Sequence, residues 1–354
     1  MNTLHDSIST PFQTQSQQLV INIESEKKEE VTRMFQLVIE QYMPSMLSVL
    51  TDRVSTLEQA FIRSTIQEDP QFQCLKNPAM HSLINDAVRA AADTSDEKDL
   101  ELLGSLLSER SRREGNKRMC LGIKKAIEVA PYVSEEGLCG ITIVYLLINA
   151  LRYYSTLDRT LEYADKIFSR LPLESLPKND AWVDEMQSYN AILSKPGTFK
   201  KINDVLLIMF NSVVLVGIER GSDNYDEAKR LLQSINLDPE RQFIDNPLFP
   251  NHVILNVLEE NLDKAVIVKH QTQRPITEME LEVFKAIFKL YDGEENKLKQ
   301  AGHMFVKKWN EVPSLKNITD WWSTFSSKLF ELMPIGEALA YVNAKRYIPE
   351  LTMK

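Results

Sequence analysis

Residues 95–154 read SDEKDLELLGSLLSERSRREGNKRMCLGIKKAIEVAPYVSEEGLCGITIVYLLINALRYY, and this stretch decides the fold. Helix-start residues at 95–99 precede five leucines on one helical face, and Gly115 with Asn116 ends that helix. A second helix is predicted over 117–130, because Pro131 cannot continue the backbone hydrogen bonds. A third helix follows Ser134 and is apolar on nearly every side, so other helices must surround it. We expect this third helix to form the centre of a helical domain.

The composition is typical of a folded, soluble protein. Of 354 residues, 43% are hydrophobic and 26% are charged, and the 11 glycines are too few for a turn-rich β fold. A net charge of −9 disfavours a protein that binds nucleic acid over its whole surface. Three unpaired cysteines, and a polar stretch at 1–18 without the apolar segment of a secretory signal, predict a cytoplasmic location.

The helical patterns predict a mostly α fold with two domains. Residues 1–25 are expected to form a mobile tail with a short strand, residues 26–195 a multi-helix globular domain, and residues 196–354 a second helical domain. Near its end the chain shows a helix, a strand at 328–333 and a last helix at 337–346. This order is similar to that of a small winged-helix-like unit.

Two apolar stretches, Leu138–Leu151 and Val205–Ile218, are shorter than the roughly 20 residues that span a bilayer. We interpret both as buried core helices, and we regard a membrane role as unlikely. Pro78, after the turn signal of Asn77, is suited to the first position of a helix. Further helices are predicted over His252–Val268 and Thr277–Tyr291. In the second of these, Thr277 and the glutamate three residues later have the spacing of a capping box.

The N-terminal part of the chain contains two segments that could mediate self-association. The strand at 17–23 needs a pairing partner, which can come from the same fold or from another copy. After Pro44, apolar residues alternate in steps of three and four, as in a helix hairpin or coiled coil. Packing within the same domain is the favoured interpretation of this seam. The residues of a possible oligomer contact are Leu19, Ile21, Ile23, Leu47, Leu50, Val54 and Leu57.

The main charged feature is a cluster of basic residues around the first helix break. At a helix C-terminus, arginines interact favourably with the helix dipole, and this structural role is the favoured interpretation. The alternative is a patch that binds phosphate, RNA or an acidic partner, which the arginine fork suits well. The residues of this basic cluster are Arg110, Arg112, Arg113, Lys117, Arg118, Lys124 and Lys125.

The sequence contains no local motif of a known catalytic, cofactor or metal site. Phosphate-binding and dinucleotide-binding glycine motifs, the nucleophile-elbow motif and metal-type His or Cys pairs are all missing. We therefore predict no cofactor, no metal and, on balance, no enzyme activity. A catalytic site assembled from distant helices would leave no such motif.

Four segments together resemble one protein family. They are Asp69-Pro70, LELLGSLLSERSR from Leu100, AIEVAPYVS from Ala126 and LFELMPIGEALAY from Leu329. In this order they resemble an uncharacterised bacterial family with locus-style names, the Lpo–Vpar type. This chain has Leu-Met-Pro at 332–334 where that family usually has Leu-Thr-Pro. The resemblance implies a cytosolic bacterial protein and assigns no catalytic residue.

These observations favour a non-enzymatic helical interaction or scaffold protein that forms a homo-oligomer and binds an unknown protein partner. By analogy alone, its setting would be phage defence or stress signalling. One alternative is a nucleic-acid-binding protein that uses the basic cluster or the C-terminal helix–strand–helix. A second alternative is a membrane-acting effector that exposes residues 205–218.

Self-association through the N-terminal strand has a direct test. Light scattering of the full-length chain is expected to give a mass above that of one chain, and deletion of residues 1–23 is expected to lower it. A strictly monomeric full-length protein that the deletion leaves unchanged would contradict the prediction.

Overall fold

The computed structural model describes residues 28–40, 44–113, 115–152, 154–195, 201–269, 272–324 and 329–352. Most of these residues are helical, which confirms the predicted mostly α class. The predicted tail and strand at 1–25 lie outside the described residues. The α-helices are 28–39 (α1), Pro44–Thr65 (α2), Pro78–Ala92 (α3), Glu97–Arg112 (α4), Lys117–Val129 (α5), Glu135–Asn149 (α6), Leu157–Phe168 (α7), Ala181–Ser188 (α8), Ile202–Met209 (α9), Asp223–Ser234 (α10), Pro239–Gln242 (α11), Glu278–Phe288 (α12), Glu295–Asn310 (α13), Pro313–Trp322 (α14) and Pro334–Tyr347 (α15).

Within the described residues, seven short strands accompany the helices. Strands β2, β4 and β3 form one antiparallel sheet in that order, with Ile218 opposite Val253 and Phe243 opposite Leu255. Strands β5 and β6 form an antiparallel hairpin, and β1 pairs with β7. The strands are Ile192–Lys195 (β1), Ile218–Glu219 (β2), Phe243–Asp245 (β3), His252–Leu255 (β4), Val266–Lys269 (β5), Thr272–Pro275 (β6) and Leu329–Leu332 (β7).

The chain forms two compact units, and each is built from separate stretches of sequence. Unit 1 comprises Met1–Tyr145, Ala181–Ser194 and Phe330–Pro349, and unit 2 comprises the remaining segments. The predicted division at residue 195 assigned one continuous stretch to each domain. The chain does change unit at that point, but it has already passed through unit 2 over Leu146–Asp180, and it returns to unit 1 at Phe330. The last strand and helix therefore complete the unit that the N-terminal helices begin.

In unit 1, α4 packs against α2, α3, α5 and α15, and the leucine stripe predicted for it is buried. Its leucines at 100, 102, 103, 106 and 107 are all buried, and α2 packs along it. Gly104 makes this possible, because a Cβ atom there would lie only 2.6 Å from Ala60 Cβ and 2.7 Å from the backbone nitrogen of Phe61. Helix α5 packs against α15, α3 and α4. Helix α6, which the sequence led us to expect at the centre of a domain, is divided between the two units after Tyr145. In the part of α6 that belongs to unit 1, Ile141 and Ile143 are fully buried, as predicted.

Helix starts in both units follow the predicted local signals. Asn77 caps α3 by accepting a hydrogen bond from the backbone N–H of Ala79 at 2.9 Å, and Pro78 occupies the first turn. In unit 2, Thr277 and Glu280 form the complete capping box of α12. The core of unit 2 lies between the three-stranded sheet and helices α10 and α12, with residues such as Val253, Leu232 and Phe284 buried in it.

The predicted helix over Val205–Ile218 is wrong beyond its first half. Helix α9 ends at Met209, and the chain then turns and enters β2. The buried side chain of Asn246 donates to the carbonyls of Leu215 at 2.7 Å and Val216 at 2.8 Å, replacing the hydrogen bonds that a helix would have made. Gly217 follows with φ of +82°, where an L side chain would be strained and would collide with Val253.

The predicted helix over His252–Val268 is also wrong. This stretch forms β4, a 3₁₀ helix at Glu259–Lys264, and β5. All four residues of β4 are buried, and the strand pairs on both sides. A fully buried strand has an apolar run without alternation, so periodicity alone did not distinguish it from a buried helix.

The C-terminal helix, strand and helix occur in the predicted order as α14, β7 and α15. However, α14 belongs to unit 2, whereas Phe330 and α15 belong to unit 1. Strand β7 pairs with β1, and 134 positions separate the last residue of β1, Lys195, from the first residue of β7, Leu329. These facts do not identify a winged helix.

The contact between α2 and α4 generates a stability prediction. Gly104→Ala is expected to lower the free energy of unfolding by about 1–3 kcal/mol, because the new methyl group meets backbone that cannot move away cheaply. Chemical denaturation followed by circular dichroism measures the change. Gly115→Ala is the matched control, since a Cβ there meets nothing within 4 Å. Equal stability of the two variants would contradict the packing described.

Candidate functional site

The structure divides the predicted basic cluster into two groups that face different surroundings. Arg112 and Arg113, at the end of α4, turn towards carboxylates of unit 1. Lys117, Arg118, Lys124 and Lys125 lie on the exposed side of α5. Arg110 is half-buried in the last turn of α4. The seven cations are therefore not one continuous patch.

Glu109 is the centre of the inward-facing group. Its side chain is only 2% exposed, although glutamate is among the residues least often buried. Arg113 Nε donates to its Oε1 at 2.6 Å, and Arg112 Nη1 donates to its Oε2 at 3.3 Å. Two arginines from the same helix end thus compensate one buried carboxylate, which such burial requires.

Arg113 has a second, aromatic contact. Its guanidinium carbon lies 5.5 Å from the ring centre of Tyr341 in α15, and its Nη2 donates to the tyrosine hydroxyl at 3.4 Å. Tyr145 packs edge-on against Tyr341, with ring centres 6.0 Å apart. Burial raises the pKa of the Tyr341 phenol, so it stays protonated at neutral pH. This contact fixes Arg113 inside unit 1.

Arg112 reaches further, to the end of α2. Its Nε donates to Glu68 Oε2 at 2.7 Å, and its Nη2 donates to the backbone carbonyl of Ser64. Lys345 of α15 lies 3.5 Å from the other oxygen of the same Glu68 carboxylate. Arg346 pairs with Glu101 at 3.0 Å. Three helices that are distant in sequence therefore contribute to one charged group.

These charged side chains line a cleft of about 330 Å³ between α2, α4 and α15. The sequence identified only Arg112 of this lining. Its other charged residues are Arg63, Glu68, Glu101, Glu109, Lys345 and Arg346. The helix-end positions of Lys345 and Arg346 indicate favourable dipole contacts, but no local signal relates them to Glu68 or Glu101.

The outward-facing group surrounds an exposed leucine. Leu121 is 59% exposed at the middle of α5. Lys117 and Arg118 precede it by four and three residues, and Lys124 and Lys125 follow by three and four, so all four cations are its neighbours on the helix surface. We refer to these five residues as the α5 face.

The predicted oligomer residues of α2 lie inside unit 1. Leu50, Val54 and Leu57 are buried, as the favoured interpretation of packing within the same domain predicts. Leu19, Ile21 and Ile23 lie outside the described residues, and so does the side chain of Leu47. Self-association through the strand stays a prediction.

The family comparison agrees with the resemblance seen in the sequence. The model of a family of uncharacterised proteins with a locus-style name matches residues 23–354. The chain belongs to this family. No curated protein and no solved structure matches it. Family membership therefore brings no activity to either group of residues, and their chemistry has to be argued from their geometry.

Three further observations concern the described residues. Within the described ranges, no three His, Cys, Asp or Glu side chains are grouped as ligands of a metal ion. Burial, with the Asp69 carboxylate nearby, raises the pKa of the Cys74 thiol to about 12, so this cysteine is not a thiolate nucleophile at neutral pH. None of the described helices combines the length and apolarity needed to cross a bilayer.

Glu109 gives the second stability prediction. Glu109→Gln is expected to lower the free energy of unfolding by about 1.5–3 kcal/mol, because two guanidinium groups lose a charged acceptor. Urea unfolding measures the loss. Glu128→Gln removes the exposed partner of Lys125, at 2.6 Å, and is the matched control. The control substitution is expected to lower the free energy of unfolding by less than about 1 kcal/mol. A loss for Glu109→Gln no larger than the control's would show that Glu109 is not the buried centre described.

Proposed function

We propose that this chain is a non-enzymatic interaction protein and that its α5 face binds an acidic segment of a partner protein. The observation that carries the proposal is Leu121, an exposed apolar side chain with cations on both sides along the helix. An amphipathic partner helix with acidic borders has the complementary pattern, an apolar stripe flanked by carboxylates.

The backbone of the α5 face is held firmly. Met119, Ile123, Ala126 and Ile127 are buried on the opposite side of α5. Gly122 faces Pro334 of α15 so closely that any side chain there would clash with its backbone. A docking surface on such an anchored helix needs little ordering when a partner binds, and this favours affinity.

The cations of the α5 face can exchange their present carboxylate partners for those of a binding protein. Arg118 pairs with Glu337 at 2.8 Å, Lys125 with Glu128 at 2.6 Å and Lys124 with Asp86 at 3.8 Å. The three cations are about half exposed or more, although Glu337 and Asp86 are half-buried, and ion pairs at the surface contribute only about 0–1 kcal/mol each. Carboxylates of a partner can therefore replace them at small cost. Their main contributions would be to association rate and specificity.

A protein partner fits this surface better than a nucleic acid does. The inward turn of Arg112 and Arg113 removes two arginines from the surface cluster, and a leucine occupies the centre of the α5 face. Nucleic-acid surfaces use cations with stacking aromatic rings, whereas an exposed leucine contributes through apolar contact. Self-assembly and a role in defence or stress signalling remain expectations that rest on sequence and analogy.

The proposal is tested with a synthetic partner of the stated chemistry. We expect a labelled amphipathic peptide with a leucine stripe between glutamates to bind the full-length chain in fluorescence anisotropy, and its affinity to fall as salt rises. Leu121→Asp is expected to abolish binding. Val49→Asp is the matched control, because Val49 is similarly exposed on α2 and has no such cationic surround.

Two results would contradict the proposal. The first is equal peptide binding by wild type and Leu121→Asp, or no peptide binding at all. The second is tighter binding of a labelled single-stranded oligonucleotide than of the peptide, with an affinity for the oligonucleotide that Leu121→Asp does not change. That result would favour the nucleic-acid-binding alternative.

A further inference from the structure

The cleft between α2, α4 and α15 has a second cavity beside it. This neighbour is about 350 Å³ in volume and is lined by Thr65, Cys74 and Ser111, among others. Glu68 and Arg112 line both cavities. The ion pair between these two residues, 2.7 Å long, is therefore the partition between the two spaces.

The two sides of this partition differ in how firmly they are held. Arg112 is 19% exposed and bonds to Glu109 and to the Ser64 carbonyl as well. Lys345 is also 19% exposed. The Glu68 side chain is 53% exposed and follows the end of α2. The Glu68 side chain can therefore move out of the cleft, while Arg112 and Lys345 stay in place.

Charge favours an incoming anion once Glu68 has left. Arg63, Arg112, Lys345 and Arg346 line the cleft, and their partners are Glu68, Glu101 and Glu109. Without Glu68, four cations of the cleft face two carboxylates, and Asp69 is a further carboxylate in the lining of the second cavity. Arg112 and Lys345 then lose the Glu68 carboxylate that they share, at 2.7 Å and 3.5 Å respectively, while both still face Glu109.

Thr65 is an independent sign that this space takes a polar guest. It is only 1% exposed, and its hydroxyl oxygen makes no hydrogen bond to any described group. Buried hydroxyls nearly always have a partner. Thr65 also lines the second cavity, so a hydroxyl without a partner lies beside this space.

We propose that the cleft binds a small anionic metabolite through an oxyanion group, a phosphate or a carboxylate. The oxyanion takes the place of the Glu68 carboxylate between Arg112 and Lys345. Arginine forms paired hydrogen bonds with both kinds of group, and lysine contributes a compact charge. In the unliganded chain, Glu68 acts as an internal competitor that occupies the site.

Isothermal titration calorimetry of the full-length chain with inorganic phosphate, and separately with citrate, tests this site. Lys345→Met is expected to weaken binding of the preferred anion about tenfold, by loss of one charge-assisted contact. Glu68→Gln is expected to strengthen it, because the competing carboxylate is neutralised. Binding of phosphate alone or of citrate alone would identify the oxyanion class.

A pair elsewhere on the surface provides the control. Lys299 and Glu295 form an exposed ion pair at 2.6 Å on α13. Lys299→Met and Glu295→Gln are expected to leave both titrations unchanged. Circular dichroism melting verifies that each variant folds.

Lys345→Met and Glu68→Gln are expected to change the affinity for the anion in opposite directions, and this distinguishes a binding site from a structural network. A purely structural network predicts lower melting temperatures for both variants and no binding of either anion. Absence of binding by wild type and by Glu68→Gln would overturn the proposal. Weaker binding by Glu68→Gln would also overturn it. If Lys345→Met fails to fold, the Glu68→Gln titration still decides.

Discussion

The burial of one carboxylate, that of Glu109, determines the arrangement of charge in unit 1. A glutamate with 2% exposure needs cationic donors, and the two arginines that follow it on α4 supply them. Arg113 is fixed further by the Tyr341 ring, and Arg112 extends to Glu68. Because these arginines turn inward, the exposed cations of the predicted basic cluster are those of α5 around Leu121.

Close packing makes this arrangement possible. Gly104 allows the α2 backbone to approach α4, and this brings Ser64 and Glu68 within reach of Arg112. Helix α15 contributes to both surfaces, since its Glu337 contacts Arg118 of the α5 face and its Lys345 contacts Glu68 of the cleft. Residues from the two ends of the chain thus form one compact unit.

The sequence predicted those features that depend on neighbouring residues. The leucine stripe of α4, the proline at the start of α3 and the capping box of Thr277 are local, and each is confirmed. Burial of Glu109 was not predicted, because a glutamate among arginines has the pattern of a solvated helix end. Its burial depends on Tyr341 and on α2, which lie far away in sequence.

The two incorrect helices have the same origin. Residues 210–218 leave the helix because Asn246, about 30 residues later, bonds to their carbonyls, and β4 is a strand because β2 and β3 pair with it. The cleft could not be predicted for a similar reason. Its walls are α2, α4 and α15, and only the folded chain brings Lys345 to Glu68.

A double-mutant cycle of Glu109→Gln and Arg113→Met, followed by urea unfolding, tests the central claim most directly. Because the two side chains are in contact and partly shielded from water, we expect them to be coupled by about 0.5–3 kcal/mol in the free energy of unfolding. Effects that add within about 0.3–0.5 kcal/mol would contradict it, since independent residues behave in that way.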